Sequence, residues 1–279
     1  MSIITAIFLG LVQGVTEFLP VSSSGHLSIF QNLFHLNYEE SEHLFFDVLL
    51  HLGTLIAVGF VYREELLRMI KETVAFAAGK SDTEYGEDGR FTPSVRNVFL
   101  LLVSTLPLIL VLPFYSKVET LYYKTGFIGI ALLVTGGLLY VADKISVGRK
   151  NEKTATIMDA VLVGIGQAIA VIPGLSRSGT TITVALSRGY RRDYAVKFSF
   201  LLSIPAVLGS FLVSLMDAFR AGITWSLIPV YLVGMVVATV SGYFAIRLVK
   251  YLVDNSKFGK ISYYCWGMGV LTIILSLIF

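Results

Sequence analysis

Six stretches of this chain, roughly residues 44–62, 98–114, 126–142, 198–215, 227–246 and 262–279, are almost wholly apolar. Each is close to the ~20 residues that a helix needs to cross a hydrocarbon core about 30 Å thick. Inside lipid every backbone N–H and C=O must find its partner within the protein, which leaves only helices or a closed barrel. A barrel would show short strands of alternating polarity, and these runs do not alternate. The sequence therefore predicts an all-α integral membrane protein with six transmembrane helices, a single membrane domain over residues 1–279. Charged residues make up only 15% of the chain, against about 25% in soluble domains. A net charge of +3 is too small to point to nucleic acid as a partner. The single cysteine, Cys265, excludes an intramolecular disulfide and a cysteine cluster for zinc. The first ten residues hold no lysine or arginine, so a removable signal peptide is not expected.

Four further apolar pieces, residues 3–19, 27–36, 157–172 and 179–187, are short or marginal. Pieces 3–19 and 157–172 each lead into a Pro-containing, Ser/Gly-rich turn, and the other two follow those turns with about ten residues each. A helix of that length rises about 15 Å, half a bilayer. Each pair therefore reads as a re-entrant helical hairpin that turns near the midplane. Non-helical backbone at that depth is tolerated only against protein or a cavity. The alternative is that residues 3–19 cross fully and residues 27–36 lie at the interface.

Charge chooses between these readings. If both hairpins return to the side they entered from, one side collects seventeen lysines and arginines, from loops around 63–97, 143–156, 188–193 and 247–261. The other side keeps Lys117, Lys124 and Arg220. Positively charged loops stay cytoplasmic. The first hairpin and both termini are then expected to face outward, and the second hairpin to enter from the cytoplasm. The loop 63–97, with its acidic cluster at 84–88, reads as a solvated cytoplasmic connection without chemistry.

The two hairpins also resemble each other. Shifting the chain by 154 residues aligns residues 10–25 with 164–179 and matches Gly10/Gly164, Gln13/Gln167, Ser22/Ser176, Ser24/Ser178 and Gly25/Gly179. Each half, about 1–143 and about 156–279, then holds one hairpin and three spans. Three is odd, so the halves must be inverted, and inverted repeats with broken helices place binding sites near the midplane at their interface.

Polar residues in such surroundings are costly and mark function by default. The first turn carries Gln13, Glu17, Ser22, Ser23, Ser24, Gly25 and His26; the second carries Ser176, Arg177, Ser178 and Gly179. Both turns lead into a short helix, whose N-terminal N–H groups and dipole suit phosphate. Two such ends meeting suit a diphosphate, and Arg177 adds a planar fork for phosphate oxygens. Glu17 can act as a base, hold a divalent cation, or pair structurally with Arg177. His26 can move protons near neutral pH. Ser23 or Ser24 can attack phosphorus or simply bind it. Asp47 and His51, four apart on one face, read as a structural pair, with cavity lining the alternative. His35 and His43 read as surface residues of an acidic loop with Glu39, Glu40 and Glu42.

The motifs Gln13-x-x-x-Glu17, Pro20-Val-Ser-Ser-Ser-Gly-His26 and Pro173-Gly-Leu-Ser-Arg-Ser-Gly179 closely resemble the signatures of the bacitracin-resistance type undecaprenyl-diphosphatases. The likeness covers the whole chain in length, span pattern and order of motifs. It implies removal of one phosphate from undecaprenyl diphosphate, the lipid carrier of bacterial cell-wall synthesis, at an outward-facing site in the cell membrane. It also implies a divalent metal, magnesium or calcium, and a link to bacitracin resistance. By position, Glu17 matches the family's catalytic acid, Ser23 its candidate nucleophile, His26 its proton-transfer residue and Arg177 its phosphate-holding arginine. Gln13, Ser22, Ser24, Gly25, Ser176, Ser178 and Gly179 are expected to line the phosphate site. The family pattern allows Glu or Gln at Gln13; Gln here leaves Glu17 as the single helix carboxylate for a metal. A lipid-carrier flippase or transporter is the rival class, since inverted repeats around a midplane site are common there. The sequence is compatible with a homodimer.

Overall fold

Two helices break off short where the sequence turns polar. The structure, a computed structural model, describes residues 1–33, 40–79, 91–221, 224–254 and 258–278. Helix α1 (Ile3–Phe18) stops at Pro20 and is followed by α2 (Ser23–Leu33). Helices α3 (Glu40–Val61), α4 (Arg63–Ala77), α5 (Pro93–Thr105), α6 (Tyr115–Glu119) and α7 (Thr125–Lys144) complete the first half. The second hairpin is α8 (Ile157–Ile169) and α9 (Arg177–Ser187), and α10 (Arg192–Ala221), α11 (Ile228–Asp254) and α12 (Ile261–Ile278) follow. At 16 and 13 residues, α1 and α8 rise about 24 and 20 Å, short of the hydrocarbon core. Five helical segments are long and apolar enough to cross a membrane, and α3 with α4, bent by 83° between them, makes the sixth candidate. This is an all-α, multi-pass membrane protein. Its outer surface shows exposed Leu110, Val236 and Leu277, as expected of a surface that faces lipid.

Close backbone approach fixes how the hairpins sit. In α1, Gly10 lies against the Gly234 carbonyl and Gly14 against Ala238 and Ser241 of α11, so these helices run side by side in one direction. In α8, Gly164 lies against Ser104 of α5, and the Ser104 hydroxyl donates to the Ala160 carbonyl. Helix α1 thus pairs with the first half of α11, and α8 with the end of α5. Ion pairs and hydrogen bonds fix which end of the bundle each helix starts from. Lys150 and Arg188 bind Asp159 at the start of α8, Arg96 at the start of α5 donates to the Ala155 carbonyl, and Arg192 pairs with Asp143 at the end of α7. Lys250, near the end of α11, lies over the ring of Tyr62. One end of the bundle therefore holds the start of α8 and the end of α11. Helix α1 enters from the opposite end to α8, the antiparallel relation that an inverted repeat requires.

The charged ends differ from the sequence reading. The loop read at 188–193 is non-helical as far as Arg191, with α10 beginning at Arg192, whereas much of 247–261 is helix, α11 running on to Asp254. The first part of the presumed solvated loop is α4, whose Met69 is buried. The span read at 98–114 begins at Pro93 and changes at Leu106 to a 3₁₀ run, Leu106–Phe114. Pro107 and Pro113 each lack a backbone donor, so the α-helical ladder does not persist there. His35, Glu39, Lys80, the cluster at 84–88, Arg90 and Lys257 lie outside the described residues, as do the side chains of Glu40, Glu42 and His43.

Candidate active site

The two turns are built alike. Ser22 stands before α2, and its hydroxyl accepts from the Gly25 N–H (3.2 Å) and lies 3.4 Å from the Ser24 hydroxyl. Ser176 caps α9, accepts from the Gly179 N–H (3.1 Å) and lies 3.3 Å from the Ser178 hydroxyl. Ser22, Ser24, Ser176 and Ser178 thus order the starts of the short helices. Each cap satisfies the third N–H and leaves those of the first turn without intrahelical partners. Ser22 adopts a left-handed φ of 69°, which lets the chain reverse between Pro20 and α2.

The turns also touch. A Cβ on Gly25 would sit 3.0 Å from the Gly174 Cα, and one on Gly179 would sit 3.2 Å from the Pro20 Cβ. Gly25 and Gly179 are therefore the points where the hairpins meet. Thr135 of α7 holds the second turn: its hydroxyl donates to the Gly174 carbonyl (2.9 Å) and accepts from the Ser176 N–H (3.1 Å).

At this junction lies Glu17, which is 8% exposed. Its Oε1 binds the Arg177 guanidinium, while Oε2 accepts from Ser23 Oγ (2.5 Å) and from Gln13 Nε2 (3.0 Å). Gln13, Glu17, Ser23 and Arg177 form one connected group. A buried carboxylate and guanidinium need each other, because an unpaired charge at this depth is very unfavourable. Both hydroxyl and guanidinium converge on the oxygens of one acid, with two helix N-termini beside them.

His26 stands apart from this group. Its Nδ1 lies 2.8 Å from the Ser22 carbonyl and its Nε2 2.8 Å from the Tyr264 hydroxyl, with the two rings stacked at 5.7 Å. A carbonyl only accepts, so Nδ1 carries the proton and Nε2 accepts from Tyr264. Tyr264 and Thr135 went unseen in the sequence. Both belong to long apolar spans where a single hydroxyl carries no spacing signal. Asp47 and His51 do not form the expected side-chain pair; His51 Nδ1 bonds the Asp47 carbonyl instead (2.7 Å). His51 lies near enough to Glu17 to act on it electrostatically.

For a metal, the chain offers little beyond Glu17. Among the described residues no three His, Cys, Asp or Glu side chains gather. One further oxygen fits: Gln13 Oε1 is buried and meets no protein partner. A carboxylate with an amide oxygen matches a cation that takes its remaining ligands from phosphate and water.

The chain matches the family described as bacitracin resistance protein BacA over residues 6–271. A protein of Alkaliphilus metalliredigens named undecaprenyl-diphosphatase is 40% identical over 280 residues, with both chains covered completely. One of the same name from Carboxydothermus hydrogenoformans is 40% identical, covering 97% of this chain and 96% of its own. A third, from Methanobrevibacter smithii, is 40% identical over 99% of each. Both hairpins, the junction at Glu17 and nearly every span lie within the matched residues, and the chain belongs to the BacA bacitracin-resistance family.

Proposed function

We propose that the chain is an undecaprenyl-diphosphatase, hydrolysing undecaprenyl diphosphate to undecaprenyl phosphate and inorganic phosphate and so recycling the lipid carrier of cell-wall synthesis. The observation that carries the reading in the structure is the shared carboxylate of Glu17, bound by Ser23 and Arg177 at the meeting of two helix N-termini. The relatives' common name points to the same substrate.

The isoprenoid tail stays in lipid and the diphosphate reaches the two turns. The open N–H groups at the starts of α2 and α9 bind its oxygens. Arg177 keeps one nitrogen on Glu17 and offers its remaining donors to the transferring phosphoryl group, where charge develops. Ser23 Oγ attacks the outer phosphorus as Glu17 Oε2 takes its proton. The Oγ–P bond forms, the bridging P–O bond breaks, and undecaprenyl phosphate leaves. Water then attacks the phosphoserine and releases phosphate. His26, whose Nε2 is hydrogen-bonded by Tyr264, accepts and returns a proton beside the first turn. Glu17 and Gln13 Oε1 would hold a divalent cation, magnesium or calcium, together with the substrate. Bound there, the cation would neutralise phosphate charge.

The basic end of the bundle is the cytoplasmic end, by the positive-inside rule. The first hairpin and its acid then open outward. Phosphate release from undecaprenyl diphosphate in detergent tests the proposal. The wild type turns over, and Glu17→Ala and Arg177→Ala insert in the membrane without turnover. Near-normal phosphate release in either variant overturns the assignment.

A further inference from the structure

Between α3, the start of α4 and the later part of α11 lies a groove of about 1140 Å³ that shares no residue with the Glu17 site. Its wall is apolar and aromatic, with Val240 53% exposed and Phe60 and Phe244 each 62% exposed. Its mouth carries Arg63, Arg247 and Lys250. The bend of 83° between α3 and α4 lies at that mouth. Beyond it, Leu67, Ile70 and Val74 form one exposed apolar face of α4, the pattern of a helix lying in the membrane plane. The mouth therefore sits at headgroup depth and the wall at acyl-chain depth.

The cations in the mouth differ from their neighbours. At this end of the bundle Arg68 pairs with Glu65, Lys150 and Arg188 with Asp159, Arg191 with Asp193 and Arg192 with Asp143. Among the described residues Arg247 and Lys250 have no ion pair. Each lies over a tyrosine ring instead, Arg247 5.5 Å from the centre of Tyr243 and Lys250 5.3 Å from that of Tyr62. The acids at the groove are Glu64 and Glu65. Glu64 lies 4.0 Å from Arg63, and Glu65 is held by Arg68 at 2.6 Å and by Lys197 at 3.5 Å. Tyr62 is 6% exposed, and its hydroxyl meets no protein partner. Two cations held on rings, one buried hydroxyl without a partner and a long apolar wall remain to be matched.

We infer that this groove binds one anionic phospholipid of the surrounding bilayer. Its phosphate lies between Arg247 and Lys250, with the Tyr62 hydroxyl as a neutral donor. An acyl chain runs along Phe60, Val240 and Phe244. A zwitterionic headgroup would bring an ammonium against the same two cations, and free phosphate would leave the apolar wall uncovered. The charge and the wall together select an anionic lipid.

Native mass spectrometry of the full chain, released from micelles supplemented with phosphatidylglycerol, phosphatidylcholine or inorganic phosphate, tests this. The wild type is expected to retain one phosphatidylglycerol and neither of the other probes. Basic residues near anionic headgroups contribute on the order of fivefold in binding each. The double variant Arg247→Gln/Lys250→Gln is thus expected to lose retention by about twenty-five-fold, while its phosphate release from undecaprenyl diphosphate in detergent is unchanged. Phe244→Ala, which leaves the charge intact, is expected to weaken retention as well. Equal retention of phosphatidylcholine, undiminished retention in the double variant, or an adduct of inorganic phosphate alone overturns the inference. None of these readouts depends on catalysis, so failure here is distinct from failure of the phosphatase reading.

Discussion

Ser23 and Arg177, 154 residues apart in the chain, bind opposite oxygens of one carboxylate, that of Glu17. Neither half of the protein contains this arrangement alone. The second half repeats the glutamine, at Gln167, and the capping serine, at Ser176, but has Val171 where a second Glu17 would stand. The repeat thus supplies two similar helix starts, and the departures from it supply the chemistry: an acid from one turn and a cation from the other.

Ser23→Ala removes the group proposed to attack phosphorus but leaves the Glu17–Arg177 pair in place. Loss of an activated nucleophile is expected to lower turnover by roughly a thousandfold or more. Rapid-quench experiments with labelled undecaprenyl diphosphate should trap phosphate on Ser23 in the wild type. Absence of a phosphoserine, with turnover retained in Ser23→Ala, would leave water as the nucleophile.

Glu17 and Arg177 could be no more than a buried tie between the hairpins. Replacing a buried ion pair by apolar residues of similar volume is often neutral for stability, whereas removing one partner costs about 3–5 kcal/mol. The double variant Glu17→Leu/Arg177→Met is therefore expected to keep its thermal unfolding midpoint and to release no phosphate. If it turns over, the pair is a tie and the site lies elsewhere.

The polar residues of the turns were legible because apolar surroundings make each of them conspicuous, and because one turn repeats the other. Glu17, Ser23 and Arg177 stand out on the first count, and the repeated residues around them mark where they lie. What a sequence motif does not carry is direction. Ser22 and Ser176 read as phosphate ligands, and the structure adds that their hydroxyls cap the helices that follow. Gly25 and Gly179 read as lining the phosphate site, and the structure adds that they are where the turns press together. Thr135 reaches the site from the middle of α7 and Tyr264 from the first turn of α12, and no periodicity distinguishes them from hydroxyls that bond within their own helix, such as Thr105. The ends of α10 and α11 read as loops because they are charged, but charge marks where helix leaves lipid, not where it ends.

Gly25→Ala places a methyl group 3.0 Å from the Gly174 Cα and 3.1 Å from the Ser22 hydroxyl. Gly174 cannot easily give way, because its φ of +91° is already fixed by the turn and its carbonyl is held by Thr135. Overpacking of this kind costs about 1–3 kcal/mol, and here it also separates the two halves of the site. Both a lower unfolding midpoint and a large fall in phosphate release are expected. Full activity in this variant would mean that the turns need not touch.

Asp159 is fully buried and closes the far end of the second hairpin. It accepts from the Thr156 N–H (2.9 Å) in a capping box and binds Lys150 (2.6 Å) from the preceding loop and Arg188 (2.9 Å) from the end of α9. Asp159→Ala strands both cations and uncaps α8, a loss of roughly 3 kcal/mol. Thermal unfolding in detergent should show it. Turnover measured well below the transition should persist, since no atom of Asp159 is near Glu17 in the bonding network. Lost turnover with an unchanged midpoint would contradict this structural role.

Tyr264 bears on how His26 handles protons. With Nδ1–H of His26 fixed on the Ser22 carbonyl, Nε2 faces only the Tyr264 hydroxyl among its bonded neighbours. Tyr264 therefore holds the nitrogen on which His26 would take up a proton, and Tyr264→Phe removes that bond without removing the ring that stacks on the imidazole. One neutral hydrogen bond contributes about 1 kcal/mol, so kcat is expected to fall about fivefold while KM holds. His26→Ala, which removes the proton carrier itself, should cost 10²–10⁴-fold, within the range of about that size for general acid–base groups. The double variant separates the two cases. If the hydroxyl acts only through His26, adding Tyr264→Phe to His26→Ala changes nothing further. An additive loss would show that Tyr264 touches the reaction by a route of its own.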